Sequence, residues 1–337
     1  MWVSDKDSSG EPAEHFCCRA DAKKNALKPG YEPHKVKALI FAFVVSLIAG
    51  ASPAIAAEEP TYPADATYIG SEVCMGCHVE QAETFSKTLM GRIMFNNPRS
   101  PREQLGCEGC HGPGSLHVEE GGGRGVGGIV GFGKDSEYPV EARNAICLSC
   151  HESGLRTHWQ GSTHQRRKLA CTNCHVVKRK LSPKNQFAKA TELDTCFQCH
   201  KLKRAQMQRS SHMPLREGKM TCSDCHNPHG TFTDKLLKAA SVNETCYTCH
   251  AEKRGPLLWE HAPVRENCSN CHRPHGSNNK NLLKMRPVRL CQQCHAESGH
   301  PSSQSSPTSR FAFSRGCVNC HSQIHGSNHP AGMRLQR

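Results

Sequence analysis

The sequence C-x-x-C-H occurs ten times in this chain of 337 residues, and this repetition limits the fold more than any other feature. Its histidines are His78, His111, His151, His175, His200, His226, His250, His272, His295 and His321. Its cysteines are Cys74, Cys77, Cys107, Cys110, Cys147, Cys150, Cys171, Cys174, Cys196, Cys199, Cys222, Cys225, Cys246, Cys249, Cys268, Cys271, Cys291, Cys294, Cys317 and Cys320. They account for 20 of the 22 cysteines.

Two ordinary uses of cysteine fit this pattern poorly. Exported chains use cysteines for disulfides, and zinc ribbons use C-x-x-C pairs, but neither requires a histidine directly after the second cysteine. C-x-x-C-H is the attachment signature of c-type haem. We therefore predict ten covalently bound haem c groups, each held by two thioether bonds and by the motif histidine on the iron.

The apolar residues are too few for an ordinary core. The whole chain holds 11 Phe, 5 Tyr and 3 Trp, so the haems must supply much of the buried apolar mass. We expect a multihaem cytochrome c fold: short helices that carry the motifs, long loops and little or no β-sheet.

The N-terminal segment has the features of an export signal. Residues 38–50 form an apolar run of 13 residues, followed by Ala54 and Ala56 in an A-x-A arrangement. The run is too short for a membrane span and favours a secretory signal peptide cleaved near Ala56. We predict a leader over 1–56, a pentahaem half over 57–211 and a second over 212–337, because five motifs fall in each half.

Ten histidines remain outside the motifs and the leader: His117, His158, His164, His212, His229, His261, His275, His300, His325 and His329. Ten spare histidines for ten irons suggest a histidine on both faces of each haem. His229 follows His226 too closely to reach the opposite face of the same porphyrin, so it should bind a neighbouring haem, as should His275. Six-coordinate iron lacks the vacant position that a catalytic metal needs, which favours an electron carrier over an enzyme.

The net charge of +13 could indicate a nucleic-acid partner, but the haems offer another explanation. Each haem carries two propionates, and basic side chains would pair with them. We therefore expect no nucleic-acid partner.

The chain resembles the periplasmic decahaem cytochromes of the MtrA/MtoA/PioA/DmsE type. The resemblance runs from about Cys74 to Arg337 and is strongest around the last five motifs, for example in KMTCSDCHNPHG, LCQQCHAESGH and CVNCHSQIHGSNHPAGMRLQR. It implies a staggered chain of ten haems that carries electrons through the outer membrane inside a porin-like β-barrel of the MtrB type. It also implies a periplasmic or inner-membrane cytochrome as a partner and, in some members, an outer-surface multihaem cytochrome.

One stretch departs from this resemblance. The MtrA branch has a His-Gly pair after the first haem, whereas this chain has Met90 and Gly91. Since methionine is an established axial ligand in c-type cytochromes, we predict that Met90 completes the first haem. The alternatives are Met94, His158, which looks additional to the MtrA branch, and another of the spare histidines.

Three functions remain open at this stage. The first is a transmembrane conduit for the oxidation or reduction of extracellular iron or another metal, and the resemblance favours it. The second is a soluble periplasmic electron carrier or store. The third is a haem-based reductase, which the expected absence of a vacant iron position disfavours. The sequence does not fix the direction of electron flow.

The haem count is directly measurable. The intact mass of the secreted protein should exceed that of the cleaved polypeptide by ten haem masses, because each of the ten motifs attaches one haem. A fully matured sample carrying nine haems or fewer would contradict the prediction.

Overall fold

A computed structural model describes residues 58–295, 316–330 and 332–336. The α-helices in this part are α1 Ser71–Cys77, α2 Val79–Ser86, α3 Leu89–Asn96, α4 Pro101–Gln104, α5 Glu108–His111, α6 Ser115–Glu119, α7 Val140–His151, α8 Thr163–Arg166, α9 Glu192–Phe197, α10 Lys201–Met207, α11 Val242–Tyr247, α12 Ala262–Glu266 and α13 Pro287–Gln292. Short 3-10 turns cover Val126–Gly128, Gly154–Arg156, Cys171–Asn173, Cys222–Asp224, Asp234–Leu236, Ala251–Lys253, Cys268–Asn270, Lys280–Leu282, Cys317–Asn319 and Gly332–Arg334.

The motifs alternate between two kinds of local structure. In the odd-numbered motifs the first cysteine lies in an α-helix, namely α1, α7, α9, α11 and α13. In motifs four, six, eight and ten the first cysteine begins a 3-10 turn. From motif three onward, a helical motif followed by a turn motif is therefore the structural repeat, whereas motif two lies in the helix α5.

Buried side chains join the two members of a repeat. The Asn243 side chain in α11 donates to the carbonyls of Val264 at 2.9 Å and Arg265 at 3.0 Å, and it accepts from the Cys268 amide at 2.7 Å. Asn144 in α7 contacts Leu169 and Cys171 in the same way. Each asparagine lies three residues before the first cysteine of its motif, so it fixes the next motif relative to its own.

The polypeptide by itself buries little apolar surface. In the described part the buried apolar residues are Met94, Val130, Ala145, Ile146, Trp159, Ala170, Met207 and Leu215. The same part contains isolated β-bridges, such as His226 with Leu237, and no extended strand. The predicted fold of short helices with little or no sheet is confirmed. The division into two pentahaem halves stays a prediction.

Within the described residues, no helix is long and apolar enough to span a bilayer. The signal peptide predicted around residues 38–56 lies outside the described residues.

The C-terminal segment folds back onto the region before motif eight. Trp259 and Ser327 exchange backbone hydrogen bonds of 2.8 and 2.9 Å, and the Trp259 indole donates to the His329 carbonyl at 2.8 Å. These contacts bring a histidine from the end of the chain, His325, to a motif more than fifty residues earlier.

The asparagine link can be tested with Asn243→Ala. The variant loses three hydrogen bonds and leaves backbone groups of a buried site unpaired, so local unfolding around Cys268 should become easier by about 2 to 4 kcal/mol. Hydrogen exchange of the Cys268 amide measures this change. Gln208→Ala, which removes an exposed amide side chain, is the matched control. Equal exchange in the two variants would refute the role of Asn243.

Candidate haem sites

Nine of the described histidines share one orientation. A backbone carbonyl lies 2.7 to 3.0 Å from Nδ1 of the motif histidines His111, His175, His226, His272 and His321 and of the spare histidines His117, His164, His212 and His261. Metal-binding histidines commonly donate their second ring N–H to a carbonyl, which fixes the tautomer. This leaves Nε2 as the nitrogen with a lone pair for iron.

Six motif histidines face a second histidine ring. The ring centres of His78 and His117 are 6.4 Å apart, those of His200 and His164 6.2 Å, those of His175 and His229 6.1 Å, those of His226 and His275 6.0 Å, those of His295 and His261 6.2 Å, and those of His272 and His325 6.2 Å. The angle between the two ring planes is 15 to 24° in five pairs. It is 62° for His164 and His200.

This separation suits an iron atom between the two rings. A metal–imidazole bond is about 2.0–2.1 Å, and two such bonds plus the inner half of each ring span about 6 Å. The rings are also too far apart to be in direct contact. The donor set therefore fits six-coordinate haem iron.

Burial keeps several of these rings in the neutral form that iron requires. Desolvation by burial is the largest cause that lowers the pKa of His229, of His275 and of His111, each to about 4. At neutral pH these imidazoles therefore carry no charge in the polypeptide.

The predicted ligand His117, rather than Met90, lies opposite His78. This ring pair favours His117 over Met90 as the second ligand of the first haem, whereas the prediction of Met90 rests on its position in the family pattern. Met90 instead lines a groove together with Cys147 and His151 of motif three. Its place on α3 is fixed by Thr88, which caps the helix by accepting from the Gly91 amide at 3.0 Å.

The other predicted ligands have different surroundings. The ring centre of His158, the alternative for the first haem, lies 6.1 Å from that of Phe232. The Nε2 atom of His212 lies 3.0 Å from a carboxylate oxygen of Glu217, and this hydrogen bond raises the pKa of His212. The main chain of His329 contacts Trp259, and His300 lies outside the described residues.

Motifs that are consecutive in the sequence also lie next to one another in the structure. Within each repeat the first cysteines of the two motifs interact electrostatically, in the pairs Cys74 with Cys107, Cys147 with Cys171, Cys196 with Cys222, Cys246 with Cys268, and Cys291 with Cys317. Second cysteines interact electrostatically between repeats: Cys110 with Cys147 and Cys150, Cys174 with Cys199, Cys225 with Cys249, and Cys271 with Cys294. Every motif is therefore a neighbour of the next, from the first to the tenth.

A continuous groove of about 3990 Å³ is lined by cysteines and histidines of motifs three to ten. Sites for single small molecules are typically about 300–1,000 Å³, so the groove has the size for a row of large cofactors. Sequence reasoning missed that this row uses ligands from distant motifs in a regular order. The recurring histidine three residues after His226 and His272 was the available signal.

Comparison with known proteins agrees with this arrangement. Residues 212–255 and 261–300 match the doubled CXXCH motif family, and residues 107–199 match the NrfB-like family of cytochrome c-type proteins. The chain is 46% identical over 279 residues to the multiheme cytochrome MtrA of Shewanella baltica, covering 80% of this chain and 81% of the relative. The chain belongs to the MtrA family of multihaem cytochromes. It is also 26% identical over 153 residues to the cytochrome c-type protein NrfB of Escherichia coli, covering 44% of this chain and 76% of that protein.

Membership of the MtrA family confirms covalent haem c as the cofactor and electron transfer as the function. The motif cysteines supply the thioether bonds, and the motif histidines supply one nitrogen to each iron. Redox chemistry belongs to the haem, while the polypeptide fixes the order and the neighbours of the ten groups.

A double variant tests whether His117 and Met90 serve different irons. His117→Ala should leave the first haem with an open position and create one high-spin ferric haem. Met90→Ala should remove the near-infrared band of a methionine-bound ferric haem and leave the first haem unchanged. The double variant should then show two altered haems. A single altered haem in the double variant would mean that both side chains serve the same iron.

Proposed function

We propose that this chain is an electron conduit through the outer membrane, enclosed by a β-barrel partner of the MtrB type. The observation that carries the proposal is the unbroken order of the ten motifs, in which each haem attachment site adjoins the next. Electron transfer weakens steeply with distance, so a row without gaps is the requirement for a wire.

The membrane itself explains why such a row would need a barrel. The hydrocarbon core is about 30 Å thick, and exposed backbone polar groups are not tolerated in it. The loops and 3-10 turns of this chain expose many such groups, so a surrounding protein wall would have to shield them. An export signal and a periplasmic location fit this arrangement, with a periplasmic or inner-membrane cytochrome at one end and, where present, an outer-surface multihaem cytochrome at the other.

The ligand arrangement supports a carrier over an enzyme. We infer two histidines on each of the six irons whose ring pairs are described above. The order in which these histidines serve the motifs also indicates ligands for the remaining haems. His164 and His261 lie before motifs four and eight and face motifs five and nine; by the same rule His212, before motif six, would serve the seventh haem, which requires its bond to Glu217 to open.

The same order gives Met90 a role. Met90 lies before motif two, which by this order assigns it to the third haem, and Met90 and His151 both line the groove. Methionine in place of histidine raises the potential by favouring ferrous iron. His300 and His329 are then the candidates for the tenth haem.

Reconstituted vesicles test the conduit. Proteoliposomes that carry the holoprotein with an MtrB-type barrel should pass electrons from an internal reduced dye to an external ferric chelate. Vesicles with the barrel alone, and vesicles with the holoprotein added only to the outside, are the controls. Equal rates in the barrel-alone control would refute the conduit. A holoprotein that forms no stable complex with the barrel, yet exchanges electrons with soluble partners, would instead indicate a periplasmic carrier.

A further inference from the structure

The residue three positions after a motif histidine reaches back to an earlier motif. The ring of His229, which follows motif six, lies 6.1 Å from the ring of His175 in motif four. The ring of His275, which follows motif eight, lies 6.0 Å from the ring of His226 in motif six. Even-numbered motifs thus supply a side chain to the site two motifs earlier.

Motif four has the same local backbone as motifs six and eight. The amide directly after the motif histidine donates to a loop carbonyl in all three, in the pairs Val176 to Gln186 at 2.8 Å, Asn227 to Leu236 at 2.8 Å, and Arg273 to Leu282 at 2.7 Å. A carbonyl of the same loop accepts from Nδ1 of the motif histidine at 2.8 Å in each case. The residue three positions after His175, which follows the same anchored backbone as His229 and His275 do in their motifs, is Lys178.

Lys178 lies within electrostatic range of all three attachment residues of the second haem. Its ammonium group interacts electrostatically with the thiols of Cys107 and Cys110, and its charge acts on the His111 ring. These neighbours belong to motif two, which is two motifs before motif four. The regular order thus holds for Lys178 as well.

The second haem has no histidine opposite its motif histidine in the described part of the chain. The aromatic ring beside His111 is Phe132, at 5.4 Å and 83°. His111 nevertheless has the orientation of an iron ligand, since its Nδ1 lies 2.7 Å from the Val130 carbonyl. The site is therefore built like the others except that its second nitrogen donor would be an amine.

We propose that Lys178 is the second axial ligand of the iron at the second haem, opposite His111. Its ammonium loses a proton to solvent, and the lone pair freed on Nζ forms the bond to iron. The proposal rests on the inference above that a side chain following one motif binds the iron of another motif, which we call cross-ligation.

The setting of Lys178 is compatible with an amine ligand. Desolvation lowers the pKa of Lys178, and buried lysines change their charge state readily. By surface area the side chain is exposed in the polypeptide, as are His78, His200 and His250. Exposure of this kind does not argue against ligation, because these motif histidines expose the faces that their haems cover.

Spectra of the oxidised holoprotein at neutral pH test the proposal. In the wild type the second haem should be low-spin. Lys178→Ala should convert one of the ten haems to high spin, as measured by electron paramagnetic resonance. Lys178→His should restore a low-spin haem and add one bis-histidine signal in the near-infrared. Lys180→Ala, which removes an exposed lysine two residues away, should give the wild-type spectra.

Two results would overturn the proposal. One is a low-spin count that is the same in Lys178→Ala as in the wild type. The other is a high-spin haem in the wild type that disappears in Lys178→His, because the second iron would then lack a lysine ligand. His229→Ala separates this proposal from the cross-ligation beneath it, since it should open the fourth haem. A new high-spin haem in His229→Ala but not in Lys178→Ala refutes only the lysine, and none in either variant refutes cross-ligation as a whole.

Discussion

On the ligation proposed above, the structure depends on the bond between iron and a nitrogen from another part of the chain. Covalent attachment joins each haem to its own motif, but it does not place one motif against another. The apolar residues cannot do so, since few of them are buried in the described part. A ligand such as His325, which comes from the chain terminus and faces His272, ties two distant segments through one metal centre. Folding and cofactor binding are then one process, as in small metal-dependent domains.

Five of the six ring pairs follow two regular rules, one for each kind of motif, and the pair of His78 with His117 follows neither. Odd-numbered sites five and nine take a histidine that precedes the neighbouring even motif, such as His164 or His261. Even-numbered sites four, six and eight take a histidine from the motif two further on, such as His229. Each repeat is thereby linked to the repeats before and after it. The hydrogen bonds of Asn144 and Asn243 add a link within a repeat, so the row is held by short connections at every step.

The sequence was sufficient to predict the cofactor, the number of haems and the class of fold, because all the residues of a C-x-x-C-H haem attachment site are consecutive in the sequence. It also indicated that His229 could not serve its own haem. It was not sufficient to pair ligands with irons, because that pairing depends on which loops fold back. Met90 shows the difficulty: it is near His78 in the sequence, but His117 is the residue opposite His78 in space. The equality of ten spare histidines and ten irons also misled, since His158 packs beside Phe232 rather than opposite a motif histidine.

The two departures from histidine proposed above would fall on adjacent haems. By the order of the repeats, Lys178 belongs to the second haem and Met90 to the third, and the cysteines of these motifs interact through Cys110 and Cys147. Axial ligands are a main control of haem potential, so this end of the row would differ electronically from the part with paired histidines. Conduction along a row requires contact between neighbours more than equal potentials, and the contacts continue through this region. A change of ligand can therefore adapt one end of the row to its redox partner while the mechanical links of the repeat remain.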